Sequence, residues 1–123
     1  MKQLLLVFLG GGTGSILRFL ISKTYNSYFP NFYLGTFLVN ILGCLFIGIV
    51  LGLSFKNNFL TQNQTLLLST GFCGGFTTFS TFAFENNSLL KSGDFLHFSL
   101  YTILSILVGV LAVILGLWIS KTI

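Results

Sequence analysis

Four segments of this chain, near 4–22, 33–54, 63–90 and 95–119, are long enough to cross about 30 Å of hydrocarbon, which takes roughly 20 helical residues each. In lipid every backbone N–H and C=O must be paired within the protein, so segments of this kind fold as helices. Only 7% of the 123 residues are charged, against roughly 25% in soluble domains, and mean hydropathy is +0.94. The composition implies an all-α integral membrane protein, one four-helix domain over 1–123 embedded in a lipid bilayer. No linker or low-complexity tail divides it, and Pro30, the sole proline, sits in a connection. The first run, behind Lys2, imitates a signal peptide, but no small-residue cleavage pattern follows, and it is expected to stay as a helix.

The third segment cannot be one continuous helix. Gly71, Gly74, Gly75, Thr77, Thr78, Ser80 and Thr81 crowd its middle. Unpaired backbone survives at membrane depth only where protein or a water-filled path receives it, so two half-helices are expected to meet near 74–78. An ion site at the break is the natural consequence.

Charge excludes several functions. The net +4 comes from six scattered Lys and Arg rather than a basic stripe, which sets nucleic acid aside. With four spans, Lys2, Lys56 and Lys121 fall on one side of the membrane, and Lys23, Lys91 and Arg18 on the other. Three against three leaves the positive-inside rule nothing to choose by, which allows both orientations and an antiparallel homodimer. One His and two acidic residues offer no nucleophile and base pair, so an enzyme is not expected. His97 lacks partners for a metal, and Cys44 and Cys73 read as small hydrophobes. Tyr25, Tyr28, Tyr33 and Trp118 read as interface anchors.

Other polar residues fall on defined faces. Gly10 with Gly14, and Gly48 with Gly52, form small-xxx-small pairs for close helix packing. Thr36 and Asn40, four apart, share a face, where an intramembrane Asn either bonds helices together or lines a polar path. Tyr101 and Ser105 make a similar pair in the fourth span. Arg18 and Glu85 are the full charges inside spans, candidates for function, for snorkelling or for structural pairing. Phe79 and Phe82, three apart, share a face. Such stripes usually pack, although phenyl edges carry positive potential and can meet an anion.

Three patterns together resemble the small bacterial fluoride channels of the Fluc/CrcB type: the run Gly71–Phe82, Gly35-Thr36-x-x-Val39-Asn40-x-x-Gly43, and Gly11-Gly12-x-Gly14-Ser15-x-x-Arg18. The resemblance covers the first three spans and implies a dual-topology antiparallel homodimer in the cell inner membrane, with two pathways exporting fluoride passively. It implies ring-edge fluoride contacts from Phe79 and Phe82, an amide donor at Asn40, and hydroxyls at Ser80 and Thr81. Thr36, Tyr101, Ser105, Glu85 and Arg18 match polar positions of the pathway region, while Gly109 departs from the serine that some relatives carry. Gly74 and Thr77 would present main-chain carbonyls to a structural sodium ion on the dimer axis. No further protein partner is implied. Two rival readings share the four spans. A small proton-coupled multidrug transporter would need a membrane-embedded carboxylate, typically in the first span, which has none; a non-conducting scaffold subunit would need only the packing glycines.

Overall fold

The computed structural model describes residues 1–123 and is helical throughout, with one isolated bridge between Phe29 and Phe32. Its elements are α1 (Lys2–Tyr25), α2 (Leu34–Ser54), α3 (Gln62–Leu66), a π-helical stretch (Leu67–Cys73), α4 (Gly74–Phe76), α5 (Phe79–Lys91) and α6 (Phe95–Thr122). Helices α1, α2 and α6 are each long and apolar enough to cross a membrane. The broken segment from Gln62 to Lys91 reaches about 45 Å at 1.5 Å per residue, enough for a fourth crossing.

Glycine sets how closely these helices approach. A Cβ on Gly10 would collide with the Leu67 carbonyl, and one on Gly14 with the carbonyl of Phe72, so α1 lies directly against the π-helical stretch and α4. A Cβ on Gly48 would strike the Val113 carbonyl, and one on Gly116 that of Leu45, which brings α2 and α6 together. Both small-residue pairs expected from spacing therefore do pack helices. Leu4, Leu5 and Phe8 on α1, and Val110 and Trp118 on α6, stay exposed.

The break is narrower than the sequence suggests. Gly74 and Gly75 remain helical, and only Thr77 and Thr78 leave helical geometry, with φ/ψ of −87°/159° and −150°/119°. Thr78 then caps α5, its hydroxyl accepting from the Thr81 amide at 3.2 Å. The π-helical turn before the break has no forerunner in the residue pattern. Thr61 starts α3 with a capping box, accepting from Gln64 N while its own amide donates to the Gln64 side chain.

Outside the spans, Asp94 caps α6, accepting from the His97 amide at 3.2 Å and meeting the ring Nδ1 at 2.9 Å. Hydrogen bonds from the His97 ring and amide hold the Asp94 carboxyl below its ordinary value. A depressed carboxyl contributes stability that is present above its unfolded value, about 3.9, and lost as pH falls through the folded value. Part of the acid unfolding limb below about pH 4, read by thermal melting in detergent, should therefore disappear in Asp94→Asn, which still caps the helix. An unchanged limb would assign Asp94 no share in it.

Candidate functional site

The break at Thr77 and Thr78 is held by one side chain. Asn40 on α2 accepts from the Thr78 amide through Oδ1 at 2.8 Å and donates from Nδ2 to the Thr78 carbonyl at 3.1 Å. This two-way clamp replaces the ladder bonds lost at the break. Because the Thr78 N–H can only donate, it also fixes which way round the Asn40 amide lies. One of the two Nδ2 hydrogens goes to Thr78 and the other is left for a further acceptor.

The carbonyls around the break divide into two groups. The Cys73 carbonyl accepts from both the amide and the hydroxyl of Thr77, at 3.0 and 2.9 Å. Gly75 is served from α1, where Arg18 Nε donates at 2.9 Å and the Ser15 hydroxyl at 3.4 Å. Gly74, by contrast, loses its ordinary helical partner four residues on, since the Thr78 amide is taken by Asn40. No hydrogen bond reaches the Thr77 carbonyl. Arg18 thus acts on the closed side of the break as a cap for the first half-helix.

On the open side lies a cleft of about 790 Å³ with Asn40, Gly74, Thr77, Phe79, Phe82 and Ser105 among its walls. No charged side chain lines it. Phe79 is 79% exposed, its ring 6.0 Å from that of Phe82 and tilted by 47°. The Ser105 hydroxyl is buried and has no hydrogen-bond partner in the chain, an orphan that calls for an acceptor or donor from elsewhere. Ser80 is exposed, 3.4 Å from the Thr78 hydroxyl, and Thr81 is half-buried; neither lines the cleft.

Thr36, Glu85 and Tyr101 form a second, closed cluster away from the cleft walls. The Glu85 carboxylate, 5% exposed, accepts from the Thr36 hydroxyl at 2.9 Å and from the Tyr101 hydroxyl at 3.0 Å; both donors are fully buried. Tyr101 bridges cluster and cleft, with its ring 5.1 Å from Phe82. Sequence reasoning left two asparagines unread, one in this cluster and one beside it. Asn26, between the first two expected spans, reaches Thr36 and Glu85. Asn86, 7% exposed, accepts from Thr102 at 3.1 Å and ties α5 to α6. A buried Asn one residue after the intramembrane Glu was a signal for the second; nothing local marked the first.

The chain matches the family described as CrcB-like protein, Camphor Resistance (CrcB), over residues 5–117. It is 51% identical over 122 residues to a protein of Gloeothece citriformis, with 98% of each chain covered. It is 50% identical over 122 residues to one from Phocaeicola vulgatus, covering 98% of this chain and 100% of that one. A protein of Azobacteroides pseudotrichonymphae is 49% identical over 117 residues, 94% of each chain. All three relatives carry the name fluoride-specific ion channel FluC.

Proposed function

The chain belongs to the CrcB-like family, and on that premise we propose that it is a fluoride channel of the plasma membrane, exporting the ion passively as an antiparallel homodimer. The reading rests above all on a cleft at a membrane-depth helix break that has amide, hydroxyl and aromatic groups in its wall and no charged side chain. Stripping water from a small anion costs tens of kcal/mol in an idealised apolar medium, so a path must return that cost through many weak contacts. A cationic side chain in direct contact with the ion would make a trap instead of a path.

In this reading the free Nδ2 hydrogen of Asn40, the Ser105 hydroxyl and the ring edges of Phe79 and Phe82 meet the ion in sequence. Ser80 and Thr81 add hydroxyls at the start of α5. The Thr36, Glu85 and Tyr101 cluster flanks the path through the contact of Tyr101 with Phe82. Arg18 keeps the first half-helix capped from the side away from the cleft. None of this requires covalent chemistry.

A second copy would close the open cleft and cover the exposed Phe79. The carbonyls of Gly74 and Thr77 are suitable donors for a hard cation, being main-chain oxygens at the end of a half-helix with no local amide on them. A sodium ion held there by both copies would supply a fixed positive charge that ties the half-helices together.

Liposomes loaded with fluoride or chloride test the reading. The reconstituted protein should discharge fluoride, read with a fluoride electrode, and retain chloride; fluoride efflux no faster than from empty liposomes would overturn it. Orientation is tested by one cysteine in the 55–62 loop, with Cys44 and Cys73 replaced. Equal labelling from both sides is expected of antiparallel copies, and labelling from one side only would sink that arrangement.

A further inference from the structure

Asn26 stands at the C-terminus of α1, in a connection, yet its side chain is spent entirely inside the protein. Its Oδ1 accepts from the Thr36 amide at 2.9 Å, and its Nδ2 donates to the Thr36 hydroxyl at 3.2 Å and to Glu85 Oε2 at 3.5 Å. The backbone N–H of Thr36 is donor only, so Oδ1 must face it and the amide cannot be reversed. Nδ2 then has to point at the Thr36 hydroxyl. With its oxygen already accepting from Asn26, that hydroxyl sends its single hydrogen to Glu85 Oε2 at 2.9 Å. The order of donation is therefore set from Asn26 through Thr36 to Glu85.

Gly35 makes this possible. A Cβ there would lie 2.8 Å from Asn26 Oδ1 and 2.7 Å from the Cα of Ser22, so a side chain would displace the amide. On the far side of the carboxylate, Oε1 takes the Tyr101 hydroxyl at 3.0 Å. Tyr101 in turn packs against Phe82. An amide at the membrane edge is thus connected by hydrogen bonds and one ring contact to the cleft wall.

We infer that Asn26 is a positioning residue for Glu85: it fixes the direction of the Thr36 hydroxyl and thereby the carboxylate rotamer that holds Tyr101 against Phe82. The inference builds on the proposed pathway but is testable without it. Asn26→Asp separates positioning from helix capping. It keeps an acceptor on the Thr36 amide at a helix start, where a carboxylate is favourable, and removes both donors. The expected result is fluoride flux about tenfold lower, equivalent to about 1.4 kcal/mol, with a lower melting temperature, since the new carboxylate stands where Nδ2 is now 3.5 Å from Glu85 Oε2.

Two readouts distinguish positioning from a structural role. The infrared band of the Glu85 carboxylate, identified by its loss in Glu85→Gln, should shift in Asn26→Asp. In the Glu85→Gln background the same change should cost little further flux, because its target is gone. An unmoved carboxylate band, or the same fold-loss of flux with and without Glu85, overturns the inference. If the parent protein itself passes no fluoride, the channel reading fails, and the infrared band alone decides the role of Asn26.

Discussion

Asn40→Asp is expected to lower fluoride flux by about a hundredfold or more while leaving a folded protein, a loss of at least about 2.7 kcal/mol. The geometry supplies two reasons. Asp retains an oxygen for the Thr78 amide but sets a second oxygen against the Thr78 carbonyl, where Asn40 now donates at 3.1 Å. Two facing acceptors leave a part-buried carbonyl unsatisfied, at a cost of about 1 kcal/mol or more, and loosen the clamp at the break. The substitution also removes the second N–H of a side chain that lines the cleft and puts a carboxyl on the proposed anion path. The measurement is efflux from liposomes with a fluoride electrode, with gel filtration in detergent as the control for folding. Flux within about twofold of the parent in a folded variant would show that Asn40 is neither clamp nor donor of consequence.

Gly74→Val and Gly75→Val should fail for different reasons, although the residues are neighbours. A Cβ on Gly75 would collide with the Gly11 carbonyl and come 3.0 Å from the Gly11 Cα, so valine there must push α1 away from α4. Overpacking of that kind costs about 1–3 kcal/mol or more, and the isolated subunit should melt at lower temperature. A Cβ on Gly74 meets nothing within 4 Å, because the residue faces the open cleft. Gly74→Val should therefore leave the subunit's melting nearly unchanged and act only on the proposed second copy and shared cation. The expected outcome is a shift from dimer to monomer in detergent with loss of flux. A dimeric, conducting Gly74→Val would remove both the interface and the cation from this face. Thr77→Ser is the mild counterpart, since serine keeps a hydroxyl for the Cys73 carbonyl; it gives up the methyl packed where a Gly43 side chain would lie, about 1 kcal/mol.

The break itself was legible in the chain because glycine and hydroxyl residues crowd one membrane-length segment, and only local chemistry is needed to see that such a stretch cannot propagate a helix. Its placement at Thr77 and Thr78 was not. Gly74 and Gly75 have the backbone freedom to break a helix but stay helical, since Gly75 is needed small against Gly11 and its carbonyl is capped by Arg18. Asn40 draws the Thr78 amide away three residues after Gly75, and that is where the ladder ends. The site divides in the same way. Spacing alone put Thr36 and Asn40 on one face, yet Asn40 went to the break and Thr36 to Glu85.

Length and hydropathy of the apolar runs determined the class of fold, because lipid admits only backbone that bonds within its own segment. The four-residue glycine spacings determined which faces could approach closely, because removing Cβ is a local property of the sequence. Partner choice was left to the tertiary structure. The bonds from Asn40 to Thr78, Arg18 to Gly75 and Asn26 to Glu85 join residues 38, 57 and 59 positions apart. No period of 3.6 residues carries that information; it arises only when α1, α2 and the broken segment are packed, and each buried polar group must then find the donor or acceptor that packing has brought within reach.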